Sequence, residues 1–253
     1  MVPLVTPRAR DLAPALGLAA LAQLVCERVL GGRLHPDETH QYVEVAHRLV
    51  WGYGTVPHEW RSGMRNYAVP GLLAALLRLA RALGLDDPRA YMAVVHVAVG
   101  ALSLTVVAAA YDVTFARTDD RDRARLAALV LALWTPWQNV AFRTLGETFS
   151  TVALCLALSL HARSPRRDVL VGALAATAFV ARYPAGLYLV PFALAYAVAR
   201  DLRGLARWSL GAALVLLSLG ALDALTWGRP WHSVLAYADY NLCLLYTSPS
   251  PRD

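Results

Sequence analysis

Residues 33–70, RLHPDETHQYVEVAHRLVWGYGTVPHEWRSGMRNYAVP, carry two adjacent carboxylates, Asp37 and Glu38, and four histidines, His35, His40, His47 and His58. Such groups can move protons or hold a cation. Pro36 suits the first turn of a helix, where its missing N–H would have no partner and its φ is preset. Asp37 and Glu38 would then lie in that turn, where the helix dipole favours anions. A helix from there to about Val50 would place His40, Glu44 and His47 on one side, as an amphipathic helix lying on a membrane surface. Adjacent acids at a helix start are also ordinary caps. His35, Asp37, His40, Glu44 and His47 are plausible metal ligands too, but their spacing is not that of an HExxH site.

The elements that must carry this run are membrane helices. Of 253 residues, 57% are hydrophobic and 17% charged, and the mean hydropathy is +0.42. A soluble domain normally carries about 25% charged residues. All 24 basic residues are arginine, and isoleucine is absent as well. Both missing amino acids use AT-rich codons, which points to a GC-rich, bacterial genome. The net charge of +6 sits in short loops between apolar runs, a pattern of membrane orientation rather than nucleic-acid binding. Cys26 and Cys155 fall inside apolar runs, and no CxxC pair exists to support a zinc-ribbon or redox motif.

Apolar runs predict spans over 12–30, 91–113, 126–141, 147–161, 169–181, 184–199 and 208–226, several of them short. The first is read as an uncleaved helix rather than a signal peptide. Arginines at 117, 121, 123 and 125, at 163, 166 and 167, and at 200, 203 and 207 mark three cytoplasmic loops, and Arg8 and Arg10 put the N-terminus on the same side. Residues 31–90 then lie outside, as do the turns at Arg143-Thr144 and Arg182-Tyr183-Pro184. Residues 69–85 are apolar, but Arg78 and Arg81 share one face a turn apart, which predicts an interfacial or partly inserted helix rather than a span. The expected fold is all-α, a polytopic membrane helix bundle with a helical extracytoplasmic first loop. Residues 1–241 form one transmembrane domain in this reading. Residues 242–253, LCLLYTSPSPRD, break the pattern and read as a non-native, adaptor-derived tail, the natural chain being expected to continue past Asn241.

The first loop closely resembles glycosyltransferase family 22, the GT-C mannosyltransferases of GPI-anchor and N-glycan assembly. The resemblance rests on His35-Pro36-Asp37-Glu38, Gln41, Glu44, Ala46-His47, Gly52, Gly54, Glu59-Trp60, Arg65, Tyr67 and Pro70. Phe142-Arg143-Thr144-Leu145 resembles the family's arginine-threonine motif. The family usually continues with asparagine and glutamate, whereas this chain has Gly146-Glu147-Thr148-Phe149-Ser150. Arg182-Tyr183-Pro184 lies where the family often has an arginine-proline turn. Asp223 through Gly228, then Tyr240-Asn241, resembles a further stretch of the family. Pro57-His58 replaces a common Thr-Trp, which bears on the acceptor.

The resemblance implies inverting transfer of mannose from dolichyl- or polyprenyl-phosphate mannose to a glycan or glycolipid hydroxyl. It makes residues 31–90 the catalytic loop. Asp37 is the expected base, with Glu38 as alternate or supporting carboxylate. Arg143 and Arg182 are expected to meet the leaving lipid phosphate. His58, Glu59 and Trp60 are expected to hold the acceptor, with His35 and Arg65 in the same loop. For Trp60 an interfacial anchor is the competing reading, and for Glu44 and His47 loop-folding hydrogen bonds are favoured. No cofactor is expected with certainty, and a divalent cation stays open. The implied partners are the lipid-linked donor, the acceptor and the membrane. The implied location is a bacterial inner membrane, or the endoplasmic reticulum in a eukaryote, with the site on the non-cytoplasmic side. A transferase for another hexose or pentose, and an inactive paralogue that binds lipid-linked glycan, remain alternatives.

Overall fold

The computed structural model describes residues 6–30, 35–164 and 167–247; residues 31–34 at the head of the first loop, Arg166 and tail residues 248–253 lie outside them. Among the described residues the chain is helical throughout, with no strand. Three helices are long and apolar enough to cross a membrane: α1 (Pro7–Leu30), α5 (Pro88–Thr118) and α11 (Leu202–Trp227). The protein is an integral membrane protein with an all-α polytopic architecture.

The remaining spans are shorter or interrupted, and the causes are local. The run 126–141 is two helices, α6 (Arg121–Leu133) and α7 (Thr135–Val140), because Trp134 turns extended at ψ 96°. Pro136 has no N–H to continue the helix ladder of α6 and sits instead in the first turn of α7, where that N–H is not needed. The helices α8 (Gly146–Arg163) and α9 (Asp168–Ala181) cover the next two runs. The run 184–199 opens as a 3-10 turn, Tyr183–Tyr188, and only then becomes α10 (Leu189–Val198). A last helix, α12, runs from His232 to Thr247.

Buried carboxylates gather the arginine loops at one end of the bundle. Asp112, near the end of α5, takes both Nε and Nη2 of Arg8 at 2.7 and 2.8 Å and the hydroxyl of Ser159 at 2.6 Å. Asp11 on α1 accepts from Tyr111 and pairs with Arg125 on α6. Asp168 at the start of α9 pairs with Arg207 on α11 at 2.9 Å and accepts from Tyr196 on α10, also at 2.9 Å. Each buried acid is thus matched to a guanidinium, which is what burial of charge requires. Two glycines set the closest helix crossing: a Cβ on Gly172 of α9 would collide with the Trp208 carbonyl, and one on Gly211 of α11 with the Val169 carbonyl.

The first loop caps the opposite end. It comprises a π-helical turn (Glu38–Val43), α2 (Glu44–Trp51), the single turn α3 (His58–Arg61) and α4 (Ala68–Ala82). Tyr42, Ala46, Leu73, Leu77, Tyr91 and Val95 form one apolar cluster that seats α2 and α4 against α5. At 15 residues α4 is about 22 Å long, short of the ~30 Å hydrocarbon core. Its Arg78 donates to the Leu49 carbonyl at 3.2 Å and Arg81 to that of Val50 at 3.5 Å, so both serve the open C-terminus of α2.

Candidate active site

The widened turn at 38–43 sorts the side chains around it. The N–H of Glu44 reaches back five residues to the Thr39 carbonyl, the mark of a π turn. Glu38, Gln41 and Tyr42 face inward, whereas Asp37 is half-buried and His40 exposed. His35, at the open start, accepts the Asp37 N–H on Nδ1 at 3.2 Å. Further on, Glu44 accepts the Thr55 N–H at 3.1 Å, and His47 Nδ1 lies 3.2 Å from the Tyr53 carbonyl. These two fold the tight turn at Gly52 and Gly54, whose φ of +80° and +136° favour glycine.

That turn and α3 close a cavity of about 480 Å3 on the outer face of the π turn, lined by Asp37, His40, Gln41, Thr55, His58 and Glu59 among others. The structure therefore brings Asp37, His58 and Glu59 together, and it adds His40. Arg65 stands behind Glu59, bonded to it at 2.6 Å, with its guanidinium over the ring of Tyr237 at 5.9 Å.

Burial bears on three of the expected residues. Glu38 is 0% exposed, a placement that suits the supporting carboxylate of its two expected roles. Its Oε1 accepts from the Thr144 amide at 3.0 Å and hydroxyl at 3.2 Å and lies 3.3 Å from His96 Nε2; its Oε2 accepts from Arg143 at 3.1 Å. Burial alone would raise its pKa, but His96, the Thr144 amide and Arg143 outweigh burial and hold the carboxylate at about 2. Arg143, 6% exposed, pairs with Glu38 and donates to the Asn139 carbonyl at 3.0 Å. Trp60 is 3% exposed and sits among other aromatic rings. Its Nε1 donates to the Gln41 carbonyl at 2.9 Å, and Tyr67 and Trp227 pack against its ring.

Arg182 keeps an open side. It pairs with Glu147 at 2.7 Å yet retains 32% side-chain exposure. Both line a groove of about 770 Å3 between α8 and α10 that continues past Leu154, Leu158 and Phe192 to His161 and Arg117. The turn carrying Arg182 is tied to the first loop: Tyr42 donates to the Ala181 carbonyl at 3.2 Å, and Asn66 to the Val180 carbonyl at 2.9 Å. Asp223, fully buried, takes the Ser233 amide and hydroxyl, and Ser233 accepts from Tyr183 at 2.6 Å. Trp227 donates to the Arg65 carbonyl at 3.0 Å, so the Asp223–Gly228 stretch braces the loop from behind.

Residues 18–250 match the Alg9-like mannosyltransferase family. The chain belongs to that family. It is 48% identical over 54 residues to the Arabidopsis thaliana mannosyltransferase APTG1, covering 21% of this chain and 10% of that protein. It is 29% identical over 160 residues to the Bos taurus GPI alpha-1,2-mannosyltransferase 3, covering 62% and 29% of the two chains. It is 33% identical over 124 residues to the Drosophila melanogaster GPI mannosyltransferase 3, covering 49% and 21%. The matched stretches thus span under a third of the length of these relatives. No solved structure shows a significant match.

His96, Tyr42 and Asn66 were not singled out by sequence. A signal existed for His96, the one histidine in the apolar run YMAVVHVAVG, because an ionisable group in such a run needs a partner. Tyr42 and Asn66 carried none, since their partners, two backbone carbonyls and the Tyr183 hydroxyl, lie far along the chain. Among the described residues no three His, Cys, Asp or Glu side chains converge as metal ligands.

Proposed function

We propose that this chain carries the catalytic centre of an inverting mannosyltransferase that takes mannose from a polyprenyl- or dolichyl-phosphate donor and passes it to a glycan or glycolipid hydroxyl. The observation that carries the reading is the division between neighbours: Asp37 opens on the cavity while Glu38 is sealed beneath it. Direct displacement needs one accessible carboxylate on the acceptor side, and Glu59, the other acid on the cavity wall, is engaged by Arg65. Asp37 takes the acceptor hydroxyl proton as that oxygen bonds to C1 of mannose, and the C1–O bond to phosphate breaks on the opposite face. The departing lipid phosphate gains negative charge, and the half-exposed Arg182 guanidinium is its proposed partner. The apolar groove below Arg182 suits a lipid chain, and the stripe Glu147, Thr151, Leu154, Leu158, His161 runs about 21 Å along α8. His58 and Glu59, at the cavity wall, are proposed acceptor contacts, and Arg65 holds Glu59 in place. The step as drawn assigns no metal.

The reading puts the cavity on the non-cytoplasmic side, in a bacterial inner membrane if the lysine-free, isoleucine-free composition reflects its source. One observation favours a second reading. Glu147 already occupies Arg182 and would compete with a donor phosphate, as in a paralogue that binds lipid-linked glycan without turnover.

Purified full-length protein with a lipid-linked mannose donor and a glycolipid acceptor tests both. Asp37→Asn should cut transfer by about 10²- to 10⁴-fold while donor binding persists. Full transfer by that variant refutes the base, and donor binding with no turnover by the wild type selects the second reading.

A further inference from the structure

The reaction as drawn leaves a buried histidine unused. His96 sits on α5 inside an apolar run, its residue 4% exposed and its ring edge against Phe142 at 5.3 Å. Two carboxylates flank it. Nε2 lies 3.3 Å from Glu38 Oε1, and Nδ1 lies 3.8 Å from Glu27 Oε1 on α1 without a hydrogen bond. An imidazole buried between two acids must gain enough from them to offset its own desolvation.

Its place in the site follows from what else holds Glu38. The Arg143 guanidinium and the Thr144 amide and hydroxyl all come from one turn between α7 and α8. Attachments from a single turn let the side chain shift with that turn. His96 supplies a contact from a different element, the span α5, and so fixes the remaining direction. Glu38 is one peptide bond from Asp37, with Cα atoms about 3.8 Å apart, so a pivot at Glu38 displaces Asp37 directly. Misplacement of a reacting group by about 1 Å can cost on the order of 10²-fold in rate.

We infer that His96 is a positioning residue for the transfer step: it locks Glu38 from α5, and thereby sets where the Asp37 carboxylate stands in the cavity. The inference rests on the proposed role of Asp37 as base. His96 touches neither substrate in this arrangement, so its loss should lower kcat and leave the KM for donor and acceptor within about twofold.

The test uses the full-length protein in detergent or vesicles, with donor and acceptor titrated separately. The series is wild type, His96→Gln, His96→Asn, His96→Leu and Asp37→Asn. A glutamine amide can place its N–H near the position of Nε2, whereas asparagine is a methylene shorter. The expected pattern is a kcat loss of about 10- to 100-fold in His96→Asn and His96→Leu, with most of it restored in His96→Gln. If His96→Leu does not fold, the two amide variants still decide the matter. Equal kcat in glutamine and asparagine variants, or losses shared between kcat and both KM values, would overturn the positioning role. If Asp37→Asn keeps wild-type transfer, the base reading itself fails, a result separable from any outcome at His96.

Discussion

Asp37 and Glu38 look interchangeable in the sequence, and a helix start would accept either. The π turn separates them: Asp37 borders the cavity, and Glu38 enters a pocket with His96, Arg143 and Thr144. No spacing rule showed this, because the donors lie 58, 105 and 106 residues away. The depressed Glu38 pKa carries a stability prediction with a definite sign. Held at about 2 against an ordinary 4.5, the ionised carboxylate stabilises the fold fully above pH 4.5, and the contribution is lost as pH falls through about 2. The size is on the order of 3 kcal/mol. Glu38→Gln removes the titration. The wild-type-minus-variant difference in Tm should therefore be widest above pH 4.5 and shrink toward pH 2. Thermal melts in detergent across that range would show it, and a difference that ignored pH would contradict the assignment.

At the scale of elements, apolar runs located the helices, and the arginine pair that set α4 apart in the sequence serves α2, while the buried face of α4 packs on α2 and α5. Sequence hydropathy did not reveal the break at Trp134 or the 3-10 turn at Tyr183–Tyr188, because it records apolar character and not backbone direction. The proline in each segment was the available sign. The α9–α11 crossing yields a sharper expectation. Gly172 and Gly211 each face a carbonyl of the opposite helix, so a methyl on either must push the helices apart. Gly172→Ala and Gly211→Ala should each cost about 1–3 kcal/mol. Gly17 of α1 has nothing within 4 Å of its would-be Cβ, and Gly17→Ala should be neutral or stabilising by up to about 1 kcal/mol. Unfolding in mixed micelles would measure all three, and equal effects across them would refute the close crossing.

Across the whole molecule, the two ends differ in how their arginines are used. At one end Arg8, Arg125 and Arg207 are matched by Asp112, Asp11 and Asp168, clamping five helices where the arginine loops meet. At the other, Arg143 holds Glu38, Arg65 holds Glu59, and Arg182 stands half-open over a groove. Charge spacing alone implied two ends, and the contacts realise the same hairpin pattern, because each helix pair returns to the side its loop requires. Orientation of those ends across a bilayer follows from arginine counts in the short loops, where acidic neighbours weigh little. The aspartate clamps should therefore not reverse it. Cysteines introduced at two exposed positions in a background with Cys26, Cys155 and Cys243 replaced would test this in intact cells. Ser62→Cys, beside α3, should react with a membrane-impermeant maleimide at once, and Arg203→Cys, near the start of α11, only after permeabilisation. The reverse order would put Asp37 in the cytosol and require a donor whose sugar faces that side.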